Sequence, residues 1–120
     1  MSLYTDGFVV PVPKRKLKAY LKMARQAAKI WHEYGAVDYK ECVGDDLKPS
    51  FGVPFPKGIR LKPGETVVFS WIVYKSKAHR DSVNKKIMAD PRMAALCDPK
   101  NPPFDFKRML YGGFKVAVSG

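Results

Sequence analysis

Alternation of apolar and polar positions marks the first ordered stretch of the chain, residues 3–12. Leu3, Thr5, Gly7 and Val9 fall on one face of an extended segment, and Tyr4, Asp6, Phe8 and Val10 on the other, which predicts a strand. Asp6 among these apolar neighbours reads as a strand-end residue in water, because burying a lone charge is costly; a buried carboxylate with a partner is the alternative. Pro11 and Pro13 are expected to end the strand, and Pro13 suits the first turn of the next element. From 14 to 34 the period changes. Leu17, Tyr20, Leu21, Ala24, Ala28 and Trp31 repeat at three and four residues, the stripe of an amphipathic helix, and Gly35 is its expected stop. Residues 36–44 alternate again, with Val37, Tyr39, Glu41 and Val43 opposite Asp38, Lys40 and Cys42, as in an antiparallel strand with one face in a core.

Residues 45–64 carry four prolines and three glycines (Pro49, Pro54, Pro56, Pro63, Gly52, Gly58, Gly64) and read as a long connection with a short edge strand around 51–55. Phe51, Phe55 and Ile59 are expected to pack against something, and Pro63-Gly64 to turn the chain into the next strand. That strand begins at Glu65 and is a breaker-free run of β-branched and aromatic residues, suited to the centre of a sheet. Ser76 is a good N-cap for a second helix over 77–89, with Val83 and Ile87 inward. Asp90-Pro91 breaks that helix and Pro91 opens a short one through Leu96. Residues 98–105 read as irregular, and 109–118 as a last strand in which Gly112-Gly113 suggests a bulge or a close backbone approach.

Strand, helix, strand, strand, helix, strand is the split β-α-β order. It predicts an α+β, ferredoxin-like βαββαβ domain: a four-stranded antiparallel sheet with both helices on one face. Phe69, Trp71 and Val73 oppose Val68, Ile72 and Tyr74 on the third strand, so both sheet faces are apolar there. Helices cover one face, and a homodimer through the other is expected.

At 120 residues the chain has room for one core, hence a single domain over 1–120. Lys and Arg outnumber Asp and Glu 22 to 11, a net charge of +11 that attracts anions and nucleic acid without specifying either. Seven of those cations, Lys14, Arg15, Lys16, Lys18, Lys22, Arg25 and Lys29, lie on the first helix before any acid. A phosphate-backbone surface is one reading of that helix. A solvated face is favoured, because no aromatic residues are interleaved on the basic side for base stacking. Cys42 and Cys97 fit no disulfide or zinc spacing and read as free buried thiols of a reducing cytoplasm. The N-terminus has no signal-like apolar region and no run approaches membrane-spanning length, so the protein is read as cytoplasmic and without a membrane partner.

The chemistry-bearing candidates cluster at few positions. His79 and His32 are the chain's two imidazoles, the side-chain type best suited to act as a general base, His79 being preferred. Asp6 or Glu41 could orient such a base, and Arg80 or Arg108 could hold a carboxylate or oxyanion. His79, Asp6 and Arg108 form the candidate catalytic set. Tyr4, Trp71, Tyr74, Arg80 and Tyr111 form the candidate ligand-binding set, with the rings stacking on a small aromatic or anionic molecule. Each has a plain structural alternative: His79 bonding the backbone in a first helical turn, His32 packing beside Trp31, the rings in the core, Asp81 complementing a helix dipole. No metal constellation is present and no cofactor is implied; Gly112-Gly113 lacks the helix and lysine of a phosphate loop, and Ser70 and Ser76 lack a nucleophile context.

Tyr4-x-Asp6-Gly7-Phe8-Val9 with Val12-Pro13, the run from Val67 to Ser76, Ala78-His-Arg-Asp81, Phe104-Asp105, Lys107-Arg-Met109 and Tyr111-Gly-Gly-Phe114 together resemble the YbaA-like domain-of-unknown-function family of small bacterial proteins. That resemblance covers nearly the whole chain and implies a dimeric α/β barrel, two sheets packed face to face. It carries no reaction. The Pro102-Pro103 pair departs from the family's Met-Pro and bears on the local loop shape. Relatives across the wider barrel superfamily include cofactor-free oxygenases, isomerases and ligand-sensing domains, an analogy of fold and not of function. Three readings stand: a homodimeric small-molecule-binding protein that is an oxygenase- or isomerase-type enzyme, a ligand-binding or stress-response module without turnover, and a nucleic-acid binder using the helix over 14–34. A polar pocket around His79 would favour the enzyme, and an apolar pocket without a titratable group the binder.

Overall fold

A computed structural model of the chain describes residues 2–96 and 98–120. Strand β1 (Tyr4–Pro13) leads through a 3-10 turn (Lys14–Lys16) into helix α1 (Leu17–Glu33), and β2 (Asp38–Val43) comes next. A single helical turn, α2 (Phe55–Gly58), interrupts the long connection to β3 (Glu65–Tyr74). Helices α3 (Lys77–Ala89) and α4 (Pro91–Leu96), a second 3-10 turn (Phe106–Arg108) and β4 (Leu110–Lys115) complete the chain. The four strands form one antiparallel sheet in the order β2-β3-β1-β4, the ferredoxin-like arrangement that the element order predicts. The molecule is a slab about 38 × 38 × 20 Å, thick enough for one sheet and one helical layer.

The register sorts the side chains. Tyr4, Asp6, Phe8, Val10 and Val12 of β1 lie beside Tyr74, Ile72, Ser70, Val68 and Thr66 of β3, and Tyr39, Glu41 and Val43 of β2 share that face. It meets α1 through Tyr20, Ala24, Ala27 and Ile30, and α3 through Val83 and Ile87, all buried. Two core clusters result: Val10, Val12, Tyr20, Ala24, Val68 and Phe104 at one end, and Ile30, Ala36, Ile72, Tyr74, Val83 and Ile87 at the other. The opposite face carries Val9, Phe69, Trp71, Val73, Leu110 and Phe114, with Phe69, Leu110 and Phe114 exposed.

Several sequence expectations are corrected. The prolines do not end β1, which runs through Pro13. Pairing with β4 stops at Val9, so Pro11 and Pro13, two apart and facing the same side, occupy an edge where no donor is needed. The buried stripe of α1 uses Ala27 and Ile30, while Ala28 is only half-buried. No strand forms around 51–55; Pro54 and Pro56 favour the helical turn α2 instead. Of the aromatic residues in that loop, Phe55 packs edge-on against Phe69 at 6.1 Å, whereas Phe51 stays exposed. The strand expected over 109–118 is shorter, and Gly112 and Gly113 pair regularly with Gly7 and Asp6, without a bulge. Cys42 is exposed, on the uncovered sheet face; Cys97 lies outside the described residues.

Candidate functional site

Between the two core clusters lies a cavity of about 250 Å³, bounded by the sheet, α1, α4 and the segment before β4. Its inner walls are Val10, Tyr20, Ala27, Ser70, Ile72 and Phe104, all buried. Met93, Leu96, Phe106 and Met109 lie nearer the surface, and Phe106 is 56% exposed. The lining is apolar apart from Ser70, the polar atoms of Tyr20, Tyr39 and Trp31, and one carboxylate, Glu41. β2 places Glu41 on the helix side opposite Ser70. Tyr20 of α1 donates to its Oε1 at 2.7 Å and Tyr39 to its Oε2 at 2.7 Å. Burial, with the charge of Glu41 and its hydrogen bonds adding, pushes both phenols far above their ordinary range, so both remain donors.

The eight residues expected from sequence to form the site are placed elsewhere, in two groups and two separate positions. Asp6, Arg80, Tyr111 and Tyr4 meet at one end of the sheet. Asp6 is 1% exposed and accepts from Arg80 Nη1 at 2.6 Å and from the Tyr111 hydroxyl at 3.3 Å. The guanidinium also donates through Nε to Asp81 at 2.7 Å and lies 4.8 Å from the Tyr4 ring centre. Desolvation works against its charge, but the bond to Asp81 and the nearby Asp6 outweigh it and raise its pKa. Asp6 is therefore not a strand-end residue in water. It is a buried carboxylate with a cationic partner, supplied by the first turn of α3, far from it in sequence.

His79 bonds the backbone. Its Nδ1 accepts from Lys75 N–H at 3.0 Å, its own N–H donates to the Ser76 cap, and its ring packs edge-on against Tyr74. Gly35, at φ +99°, brings the end of α1 against that ring. Tyr74 in turn accepts from Trp31 Nε1 at 3.0 Å and donates to Asn84 at 3.2 Å; burial holds its hydroxyl protonated, against the Trp31 donor. Arg108 grips Glu65 with two bonds, 2.7 and 2.9 Å, and the carbonyl of Arg60 at 3.0 Å, tying the segment before β4 to the long loop. Trp71 stands alone of the eight on the uncovered sheet face. His32 is exposed.

Read from sequence, Glu41 is only a residue to orient a base, and Tyr20 is only core. A signal for their meeting is present: Tyr39 and Glu41 share the apolar face of an alternating strand, where a carboxylate is out of place. Phe104 and Phe106 carry no such signal, because they come from irregular backbone. Among the described residues no group of three or more metal-ligating side chains forms, and no helix is long and apolar enough to cross a membrane.

Fold and site together define a two-layer ferredoxin-like protein with an apolar cavity between its layers. The same fold occurs in a dimeric ferredoxin-like protein from an uncultured marine organism, which superposes over the whole of both chains with a TM-score of 0.62 at 9% identity. The chain belongs to the DUF1428 family, described as proteins of unknown function, whose model matches residues 3–106. It is 46% identical over 115 residues to the uncharacterized protein YbaA of Escherichia coli K12, covering 96% of this chain and 97% of that one, and equally to YbaA of Shigella flexneri.

Proposed function

We propose that this protein is a homodimer that binds a small, largely apolar molecule between its sheet and α1. The observation that carries the reading is the cavity itself: about 250 Å³, lined by aromatic and methionine side chains around one carboxylate. Such a lining takes up an apolar body and orients it through few polar contacts. Supporting the dimer are the apolar sheet face around Trp71 and the dimeric state named for the structural neighbour. A second reading, an isomerase-type enzyme, has Glu41 in its favour, the one carboxylate among the cavity's lining residues.

Native mass spectrometry of freshly purified protein, before and after gentle desalting, tests the proposal. The expected species is a dimer with one small adduct per subunit, lost from an Ala27→Trp variant that fills the cavity. A monomer at every concentration would refute the assembly. An adduct that persists in Ala27→Trp would refute the cavity as its seat. Conversion of the recovered adduct by fresh protein would favour the enzyme.

A further inference from the structure

Three carboxylates held in place by this fold each have an arginine: Asp6 has Arg80, Glu65 has Arg108 and Asp90 has Arg92. Glu41 does not. Among the described residues no lysine, arginine or histidine pairs with it, although the chain carries 22 lysines and arginines. Its partners are two neutral phenols, one on each oxygen. A carboxylate has about four acceptor sites, so roughly half of its capacity is left open. Glu41 is half-buried, so the fold leaves its charge partly in water and without a countercharge, and a cation from outside would supply one.

The walls suit a particular kind of cation. Phe8, Tyr20, Trp31, Tyr39 and Phe104 surround the space, with Trp31 and Tyr39 ring centres 5.9 Å apart and Tyr20 and Phe104 at 5.5 Å. Ring faces attract poorly hydrated organic cations, alkylammonium groups above all. An inorganic ion would need several oxygen ligands, and Glu41 alone is too few. The net charge of +11 repels cations at long range, but salt screens that repulsion beyond about 8 Å, leaving local contacts to decide.

We infer that the cavity takes an organic cation, an apolar amine or quaternary ammonium compound, with its charged head between Glu41 and the aromatic walls and its carbon body toward Met93 and Leu96. The inference rests on the cavity being the ligand site. Its test separates the two. Benzyltrimethylammonium and its uncharged isostere neopentylbenzene are titrated into ¹⁵N-labelled protein, and binding is read from the indole N–H signal of Trp31.

Both probes are expected to shift that signal, the cation binding about tenfold or more tightly. In Glu41→Gln the cation's advantage should shrink to what the aromatic walls alone supply, with the neutral probe unchanged from wild type, which also reports that the variant is folded. Tyr39→Phe removes a phenol but keeps the charge, so the preference for the cation should survive. Equal binding of both probes to wild type would overturn the cation inference and leave the cavity reading intact. A cation preference undiminished in Glu41→Gln would likewise overturn it. If neither probe moves the Trp31 signal, the cavity reading itself fails, and this inference with it.

Discussion

Asp6 and Arg80 show how one residue's environment escapes sequence reading. Alternation places Asp6 on the inner face of β1, and general cost arguments then favour a strand end in water. The fold instead brings Arg80 from the start of α3 to 2.6 Å, with Tyr4 beneath the guanidinium and Tyr111 completing the acceptor's shell. Nothing in local spacing encodes that meeting. A buried pair of this kind is costly to break from one side, because the survivor keeps its charge without a partner. Asp6→Ala is expected to destabilise by about 3 kcal/mol or more, and Asp6→Leu combined with Arg80→Met to recover most of the loss. Urea denaturation of the three proteins measures both; a loss under about 1 kcal/mol in Asp6→Ala would mean that the pair is solvated and marginal.

Among the elements, β4 depends on what its glycines allow. A Cβ on Gly113 would meet Tyr4 Cε2 at 2.8 Å, and that ring cannot swing away because it is buried and covered by Arg80. At Gly112 the nearest atoms belong to the Phe114 ring at 3.5 Å, an ordinary contact. Gly113→Ala should therefore cost about 1–3 kcal/mol, and Gly112→Ala less than about 1. Comparing denaturation midpoints of the two variants is the check, and equal effects would count against the Tyr4 contact. The sequence shows the glycine pair and its two interpretations, bulge or close approach. Which glycine matters depends on Tyr4, a residue of the neighbouring strand. By contrast, the start of α3 is readable directly, since Ser76 caps it by accepting the His79 N–H at 3.0 Å.

For the molecule as a whole, the uncovered sheet face is the feature with the widest consequence. A slab 20 Å thick has no third layer, and Phe114 and Leu110 are 62% and 54% exposed beside Trp71 and Val73. In the proposed homodimer this face packs on its copy. Replacing Trp71 by lysine would then set two charges into an apolar interface, and the variant should sediment as a monomer with its helical circular dichroism unchanged. An unchanged sedimentation coefficient would place any self-association on another surface.

The order of elements, the sheet they form and the apolar character of both its faces are written locally in the chain. Those properties come from periodicities of two and of three to four residues, and from breakers and caps. Which polar residues meet is settled only once the chain is packed. Packing buries Asp6 against Arg80, ties Arg108 to Glu65, and sets Glu41 between two phenols in a cavity whose walls come from α1, α4, the sheet and the segment around Phe104. Such meetings depend on contacts between residues far apart in the chain, and no pattern along a single element can carry them.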